Sequence, residues 1–303
     1  MKLAVEFPSV SYREGAAGIQ RLARAIEDMG YDQLEMFDHV VMGYPLTDRP
    51  TRYPAQMPIM EALMMLSHIA AVTDRIGLGT EVLVLPQRQP VLVAKQMQTL
   101  DTLSHGRARL GIGVGWQPSE FEALSEPFDS RGARTDEAIT LIRKYWADEQ
   151  VDHAGSFYTA NAMAMEPKSP QGAGLPIWIG GSAPGALRRI GTLADGWLAP
   201  ALTDAEQTRL CLEKIQAHRE QAGRGDLPFG TQMMLTVPPR DASEKGFYAD
   251  LDGVVRRAAE VASWGIDCGA LNATAIFQSG ARSVDAMIDV LAECHQRITR
   301  EVG

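Results

Sequence analysis

One histidine stands where a predicted strand gives way to a loop. His39 follows Asp38 in the stretch FDHV, at the end of a strand predicted over residues 32–38. An imidazole titrates near neutral pH and can pass a proton to a carbonyl or hydroxyl group while a hydride moves elsewhere. The position also suits a ring that packs in a turn, with Asp38 as a capping residue. The other histidines lie in predicted loops or on helices, where we expect no chemistry.

A glycine-rich turn further along the chain offers a site for an anion. A predicted strand over 177–180 runs into Gly180, Gly181 and Ser182, and a helix begins near Pro184. Glycines let backbone N–H groups converge, and a helix N-terminus adds about half a unit of positive charge. The spacing therefore fits a phosphate group, and it equally fits a plain turn between a strand and a helix.

A second glycine-rich stretch, GIGVGWQPSEF over 111–121, does not have the spacing of a dinucleotide fingerprint. The pattern Gly-x-Gly-x-x-Gly needs a glycine where this chain has Trp116, and it belongs to the first strand–helix turn of a fold. The alternating Gly111, Gly113 and Gly115 instead indicate a strand that a flat ring can approach closely.

The sequence lacks the common motifs for metal-dependent, Schiff-base and serine-nucleophile catalysis. The chain has no His-Glu-x-x-His or Cys-x-x-Cys spacing, no lysine at a predicted strand end and no Gly-x-Ser-x-Gly nucleophile. We therefore expect no metal site and a borrowed cofactor as the source of chemistry.

Composition narrows the class of protein. The chain of 303 residues carries a net charge of -9 and no basic run, so nucleic acid is not an expected partner. No apolar stretch is long enough to span a membrane, and the first residues are typical of a strand and not of a signal peptide. The three cysteines are widely spaced, which argues against a disulfide framework. We expect a cytoplasmic protein.

Strand-like and helix-like segments alternate along the whole chain. This alternation, without a linker, predicts a single (β/α)8 TIM barrel over residues 1–303, with an irregular insertion at 148–176 before strand five. A doubly wound open sheet is the alternative. The predicted strands span 2–7, 32–38, 76–85, 107–114, 177–180, 196–199, 229–237 and 269–274, and the helices 15–29, 59–73, 91–103, 130–147, 184–194, 203–222, 251–264 and 283–301.

The helix-to-strand junctions and the long segment after strand two indicate which end of the predicted barrel holds the ligand site. Gly30 and Gly265 each stand between a helix and the next strand, as expected of a left-handed helix end. A barrel of this kind places its site at the carboxyl ends of the strands. The long segment 43–58 after strand two, rich in Pro and Arg, is predicted to act as a lid over that site.

Several stretches of the chain together resemble a known family. The stretch 78–124 (LGTEVLVLPQRQPVLVAKQMQTLDTLSHGRARLGIGVGWQPSEFEAL) is similar to the bacterial luciferase-like oxidoreductases, above all to their short branch that depends on the deazaflavin coenzyme F420. MFDHV, PFDSRGARTDEAI, PIWIGGS and RRIGTLADGWLAP add to the likeness. It covers residues 1–200 well and the last third only loosely.

The resemblance implies roles for residues already singled out. His39 matches the histidine near the reactive carbon of the coenzyme. The stretch Thr80, Glu81 and Val82 matches a bulge in strand three, often with a non-prolyl cis peptide bond, that supports the central ring from behind. The remaining matches are coenzyme contacts, with ring contacts at Gly113 and Gly115, a polar contact at Ser119, and phosphate contacts at Gly180, Gly181 and Ser182.

Two positions depart from the family pattern. Trp116 stands where the sugar-phosphate dehydrogenases of the family carry a glutamate implicated in catalysis. We therefore expect a substrate other than a sugar phosphate, with Trp116 and Asp38 in its pocket. Trp116 either contacts an apolar or aromatic substrate or packs at the rim. Glu81 is a charged residue in the bulge, and it either faces a polar substrate or points to solvent.

The expected function is hydride transfer between coenzyme F420 and a small organic substrate, with His39 as proton donor, proton acceptor or positioner. One alternative keeps the fold but uses reduced FMN and oxygen as a monooxygenase fed by a separate flavin reductase. Another is a cofactor-binding barrel without turnover. We also expect a homodimer, with the apolar stretch 60–72 as a candidate contact, although burial in the core would also explain that stretch.

Overall fold

The chain forms a closed barrel of parallel strands surrounded by helices, in a computed structural model that describes residues 1–47, 53–236 and 244–303. β1 pairs with β2 and β11, and β3 and β4 both pair with β5, which closes the ring. The strands are β1 (Lys2–Glu6), β2 (Gln33–Met36), β3 (Gly77–Thr80), β4 (Leu83–Val84), β5 (Ala108–Gly113), β6 (Val151–Ala154), β7 (Thr159–Met163), β8 (Ile177–Gly180), β9 (Gly196–Ala199), β10 (Gly230–Met234) and β11 (Cys268–Asn272).

Helices follow the barrel strands and cover the outside of the barrel. They are α1 (Gly15–Met29), α2 (Ala62–Ala70), α3 (Pro90–Leu103), α4 (Pro118–Ala123), α5 (Arg131–Ala147), α6 (Pro184–Leu193), α7 (Ala205–Gln221), α8 (Leu251–Ser263), α9 (Ala273–Gln278) and α10 (Val284–Val302). The predicted eight-stranded barrel is confirmed. In the part of the chain that is described, no helix has both the length and the apolar character to cross a membrane.

Several predicted boundaries were wrong. The predicted third strand over 76–85 is broken, with β3 and β4 on either side of Glu81 and Val82. The segment 148–176 was expected to be irregular, but it contains the antiparallel hairpin β6–β7. The short helices α4 and α9 were not predicted, and α2 is shorter than its apolar stretch. Residues 48–52 of the predicted lid lie outside the described residues.

Glycine and aspartate mark the helix-to-strand junctions. Gly30 and Gly265 have φ of 93° and 81°, the left-handed conformation expected of them. The aspartate two residues after Gly30, Asp32, accepts a hydrogen bond from the N–H of Leu3 at 2.9 Å. Asp267 makes the equivalent bond to the N–H of Thr231 at 3.0 Å. Each junction therefore ties the start of one strand to its neighbour.

The main apolar core lies between the strands and the helices. The inside of the barrel holds a much smaller apolar cluster of Ala4, Cys268 and Ala270, with Met234 against it. Bulky branched side chains usually fill the interior of such barrels. Small residues here leave room inside the ring for polar side chains.

Trp178 on β8 occupies the amino-terminal end of the barrel. A Cβ atom on Gly196 or on Gly230, the first residues of β9 and β10, would overlap its indole. The guanidinium carbon of Arg109 lies 4.1 Å from the centre of a Trp178 ring. The two glycines are therefore required by the close approach of a large side chain.

Candidate active site

A cavity of about 770 Å³ opens at the carboxyl ends of the strands. Its walls come from the end of β1, the segments after β2 and β3, and helix α9. Cavities of this size bind cofactors and small ligands. The cavity therefore lies at the end of the barrel where the sequence predicts the site.

His39 lines this cavity and is held from behind by Glu120. Its Nδ1 atom lies 3.0 Å from Oε2 of Glu120, and the side chains are 7% and 1% exposed. Glu120 sits on α4, and Gln87 approaches the same oxygen at 3.5 Å. Its other oxygen, Oε1, is buried with no hydrogen-bond partner among the described residues. The contact at Nδ1 leaves Nε2 as the His39 nitrogen for a ligand in the cavity.

Aromatic rings surround His39. Its ring centre lies 6.2 Å from Phe37, 5.7 Å from Tyr53 and 5.8 Å from Trp116, each in an edge-to-face arrangement. Trp116 also meets Tyr53 at 6.0 Å, and its side chain remains 41% exposed. Trp116 therefore lies both against the histidine and at the cavity wall.

Asp38 also lines the cavity, but its carboxylate is already bound. Both oxygens accept hydrogen bonds from Arg88, at 2.7 and 2.8 Å. The N–H of Val84 donates to one of them at 3.2 Å. Asp38 therefore ties the segment after β2 to the end of the third strand, and this pairing fixes the position of the neighbouring His39.

The broken third strand has the geometry that the resemblance implies. The peptide bond between Glu81 and Val82 is cis. Both side chains line the cavity. Of the two orientations considered for Glu81, the structure has the inward one, because its Oε2 accepts a hydrogen bond from Gln232 at 3.0 Å inside the barrel.

A polar network forms the floor of the cavity. Glu35 is completely buried and accepts hydrogen bonds from Arg109 and Gln232. Arg109 also donates to Oε1 of Gln232 at 2.9 Å. Glu6 and Glu81 stand above this group at the cavity surface. Three carboxyl groups thus lie near one guanidinium.

Burial makes two of these carboxyl groups hold their protons. It raises the pKa of Glu6 to about 8, helped by the charge of Glu35 and opposed by a hydrogen bond from Asn272. Burial, a hydrogen bond with Glu35, and the charges of Glu35 and Glu6 raise the pKa of Glu81 well above its usual range, against the opposing charge of Arg109. At neutral pH the carboxyl group of Glu6 is therefore largely protonated.

The glycines of β5 have a packing role. A Cβ atom on Gly111 would overlap the carbonyl oxygen of Thr80, and one on Gly113 would lie 2.6 Å from Cγ2 of Val82. Gly115, with φ of 75°, lines the cavity, whereas Gly111 and Gly113 press against the bulge. The hydroxyl of Thr80 reinforces that contact by donating to the carbonyl of Gly111 at 2.6 Å.

The predicted phosphate turn lies beside the cavity and not in its wall. Gly181 has φ of 119°, and its carbonyl accepts a hydrogen bond from the indole of Trp197 at 2.8 Å. Helix α6 begins two residues after Ser182 without a side-chain cap. A Cβ atom on Gly180 would lie 3.0 Å from Cγ1 of Val82, so Val82 separates the turn from the cavity.

The predicted site residues therefore fall into two groups. Those in the cavity wall are His39, Asp38, Glu81, Val82, Gly115 and Trp116, and those outside it are Thr80, Gly113, Ser119, Gly180, Gly181 and Ser182. The hydroxyl of Ser119 accepts from Gln117 at 3.1 Å. No cluster of metal-ligating side chains occurs among residues 1–47, 53–236 and 244–303.

Sequence reasoning missed the residues behind the site. Glu120 was not singled out, although it lies four positions after Trp116 at the start of a helix. The floor residues Glu6, Glu35 and Arg109 were also missed. A signal was present for Arg109, which is the only charged residue of β5, whereas β1 and β2 also contain Lys2 and Gln33.

The fold and cavity define a class of protein, a TIM barrel with a ligand site at the carboxyl ends of its strands. Within that class the sequence profile of the luciferase-like monooxygenases matches residues 3–251, and the chain belongs to this family. It is 34% identical over 210 residues to an uncharacterized protein of Mycobacterium tuberculosis, covering 67% of this chain and 72% of the relative.

Two relatives carry a named activity. An F420-dependent glucose-6-phosphate dehydrogenase of Nakamurella multipartita is 32% identical over 233 residues, which cover 74% of this chain and 64% of the relative. The enzyme of the same name from Microbacterium testaceum is 31% identical over 215 residues, which cover 70% of this chain and 61% of the relative.

Solved structures share the fold. An F420-dependent secondary alcohol dehydrogenase, in complex with an F420–acetone adduct, superposes with a TM-score of 0.77 at 18% identity, over 98% of this chain and 99% of the other. The monooxygenase RslO1 from Streptomyces bottropensis gives a TM-score of 0.74 at 20% identity, over 95% and 98%. At these identities the likeness concerns the fold.

Proposed function

We propose that this protein is an oxidoreductase that moves a hydride between coenzyme F420 and a small organic substrate. The observation that carries the proposal is His39, held by Glu120 at the wall of a cavity of about 770 Å³. The F420-dependent relatives support the choice of coenzyme. Trp116, at the same wall, favours a substrate with an apolar or aromatic part.

The residues present fit a flat ring with a phosphate tail. The cavity is large enough for more than a small substrate. Beside it, Gly180 and Gly181 precede the start of α6, whose first N–H groups have no side-chain cap. A helix end of this kind attracts anions. Val82 lies between the cavity and the turn, so a coenzyme that occupied both places would have to pass beside this side chain.

When bound, F420 supplies a ring carbon that donates or accepts hydride. The protein's own residues position the substrate and transfer its proton. Glu120 fixes the ring of His39 through Nδ1, so that Nε2 takes the hydroxyl proton of an alcohol, or returns it to a carbonyl oxygen in the reverse direction. The surrounding rings of Phe37, Tyr53 and Trp116 keep water away from this atom.

A binding titration tests the choice of coenzyme. The purified protein is titrated separately with F420 and with FMN, and ligand fluorescence is followed. We expect saturable binding of F420 that is at least about tenfold tighter than that of FMN, a difference of about 1.4 kcal/mol. A Ser182→Glu variant should lose much of that affinity, because a carboxylate would repel the phosphate, while Ser156→Glu on a distant exposed turn serves as the control.

Tight binding of FMN without a response to F420 would contradict the proposal. The protein would then be assayed as a monooxygenase, with reduced FMN supplied by a separate flavin reductase. Binding of a coenzyme with no turnover of any alcohol, aldehyde or ketone would instead favour a barrel that binds its cofactor without catalysis.

A further inference from the structure

The cavity floor has more carboxyl groups than cations. Glu6 and Glu81 line the cavity, and Glu35 lies directly beneath them. Arg109 forms an ion pair with Glu35 and a hydrogen bond with Gln232. Within the described ranges, neither Glu6 nor Glu81 forms an ion pair with a cationic side chain. With all three carboxyl groups ionised and Arg109 charged, the floor would carry two uncompensated negative charges.

The other groups near the floor do not supply the missing cations. Cys268 and Tyr248 face the network from β11 and from the 3-10 helix over 244–249, and burial raises the pKa of both, so each stays neutral. Arg13 and Arg282 line the cavity, but their guanidinium carbons lie 5.5 and 5.0 Å from the centre of the Phe277 ring. Both arginines keep their charge, but within the described ranges neither forms an ion pair with Glu6 or Glu81, and neither is among the charges that shift the pKa of these two residues.

Two further observations indicate that a ligand belongs above the floor. Thr274 lines the same cavity and is 7% exposed, and its hydroxyl is buried with no hydrogen-bond partner among the residues described. The rings of Phe37, Tyr53 and Trp116 also line this cavity. Aromatic faces attract organic cations, and carboxylates at one end of an aromatic wall strengthen that preference.

We propose that the substrate carries an organic cation, such as a protonated amine, and that Glu6 and Glu81 bind it at the cavity floor. This inference rests on the proposed function to the extent that the cavity is the substrate site. It adds a class of substrate, a small molecule with an ammonium group near an apolar or aromatic part.

A cation explains the floor better than a neutral ligand does. A neutral hydrogen-bond acceptor needs a single donor, and a hydroxyl would serve without the cost of burying charge. Carboxyl groups that lack a counter-cation take up protons when the site is empty. An arriving ammonium group then replaces one of those protons, which regains the charge–charge attraction in a site of low dielectric constant.

The sign of the pH dependence separates the two kinds of ligand. Because the pKa of Glu6 is raised to about 8, its carboxylate forms only as the pH approaches that value. An alkylammonium group keeps its own proton until about pH 10. Cation binding therefore strengthens between pH 6 and about 8, whereas binding of a neutral acceptor weakens as the donor proton is lost.

Calorimetry with a matched pair of probes tests the proposal. Full-length protein, with and without bound coenzyme, is titrated with 2-phenylethylammonium and with the neutral 2-phenylethanol. We expect tighter binding of the ammonium probe, an affinity that rises with pH, and release of about one proton per probe at pH 7, read from buffers of different ionisation enthalpy. Equal or tighter binding of the alcohol, or no binding of the ammonium probe, overturns the proposal.

Variants locate the effect at the floor. Glu81→Gln and Glu6→Gln should each weaken the ammonium probe by at least about tenfold and change the alcohol by no more than about twofold. Glu213→Gln, on the exposed face of α7, is the matched control. Because glutamine has the shape of the protonated acid, both variants are expected to fold, which thermal denaturation checks. Unchanged ammonium affinity in both variants excludes the floor as the cation site.

The result is independent of the coenzyme titration. Expected binding of the ammonium probe without binding of F420 or FMN would remove the proposed function and leave the cation site. Binding of F420 together with equal affinity for the two probes would support the proposed function and exclude the cation site.

Discussion

The chemistry of the cavity depends on how a few side chains hold protons. His39 is positioned by Glu120, whose carboxylate is buried on a short helix and touches the ring at Nδ1. Buried carboxylate–imidazole pairs fix the orientation of the ring and stabilise the charged form that appears during proton transfer. Nearby, Glu6 holds its proton for a different reason, which is burial without a counter-cation.

Replacing Glu120 should affect turnover more than binding. In Glu120→Gln the amide oxygen can still accept from Nδ1, but the negative charge is lost. We expect kcat to fall by at least about tenfold, a part of the 10²- to 10⁴-fold that positioned acid–base groups contribute, while the Kd of the coenzyme changes little. His39→Ala should lose most of that factor. Steady-state kinetics with an alcohol or ketone that the enzyme turns over provide the measurement.

Glu122→Gln is the control for this prediction, since Glu122 lies on the same helix with an exposed side chain. A Glu120→Gln variant with the kcat of the parent protein would show that Glu120 has a packing role alone.

Glu6 should make the stability of the protein dependent on pH. Its pKa rises from an ordinary value of 4.5 to about 8 on folding, so the unfolded chain releases this proton more easily than the folded one. The free energy of unfolding should therefore fall as the pH rises from about 5 to about 8, by up to about 1.4 kcal/mol per pH unit. Above that range the loss is complete.

Denaturation of the parent protein and of Glu6→Gln at pH 5 and pH 9 measures this effect. The variant keeps an acceptor for Asn272, and it should gain stability relative to the parent protein as the pH rises. The same stability difference at both values of pH would argue against a raised pKa for Glu6.

At the scale of elements, the broken strand β3–β4 and its neighbour β5 have complementary shapes. The bulge between β3 and β4 turns Glu81 and Val82 toward the cavity, and β5 accommodates the bulge with glycines. Gly111 accepts a hydrogen bond from the hydroxyl of Thr80 at 2.6 Å through its carbonyl, so the two strands are in close contact at this point. The alternating glycines therefore follow from the shape of the neighbouring strand.

Alanine at position 111 should destabilise the barrel. The added methyl group would overlap the carbonyl oxygen of Thr80, a backbone atom that cannot rotate away. Overpacking of this kind typically costs about 1–3 kcal/mol. Urea denaturation of Gly111→Ala should show that loss, whereas Gly174→Ala, with no atom within 4 Å of its Cβ position, should stay within about 0.5 kcal/mol of the parent protein. Equal midpoints for the two variants would contradict the packing role.

The same elements show what a sequence can predict. The alternation of strand-like and helix-like segments and the glycines at their junctions were sufficient to predict the barrel. The position of His39 at a strand end was sufficient to place it in the cavity wall, and its catalytic role remains a prediction. The hairpin β6–β7 was not predicted, because its strands are short and mostly exposed and lack alternating apolar residues. Glu120 and the floor network were not predicted for a different reason. Their partners lie far apart in sequence, as with Glu35 and Gln232, and pairing across a barrel depends on strand register, which one sequence does not reveal.

For the whole molecule, the apolar stretch 60–72 divides into two faces. Most of its large residues, such as Leu66 and Ile69, are buried in the core, but Met64 is 73% exposed. Met60 and the preceding loop add further exposed apolar side chains, among them Tyr44 and Leu46. Exposed apolar side chains are frequent in contact surfaces, and we propose a homodimer whose contact includes Met64.

Sedimentation velocity tests the proposed dimer. We expect the parent protein to sediment as a dimer and Met64→Glu to sediment as a monomer, because a charge would have to be buried in the contact. Leu210→Glu, at an exposed apolar position on α7, should remain dimeric. A parent protein that sediments as a monomer excludes the homodimer.

Trp178 affects how ligands enter and leave the cavity. Its indole covers the amino-terminal ends of β9 and β10, so the cavity is reached from the opposite end of the barrel. Two ligands that share one entrance cannot exchange independently. For the coenzyme and the substrate proposed above, we therefore expect each ligand to slow the exchange of the other.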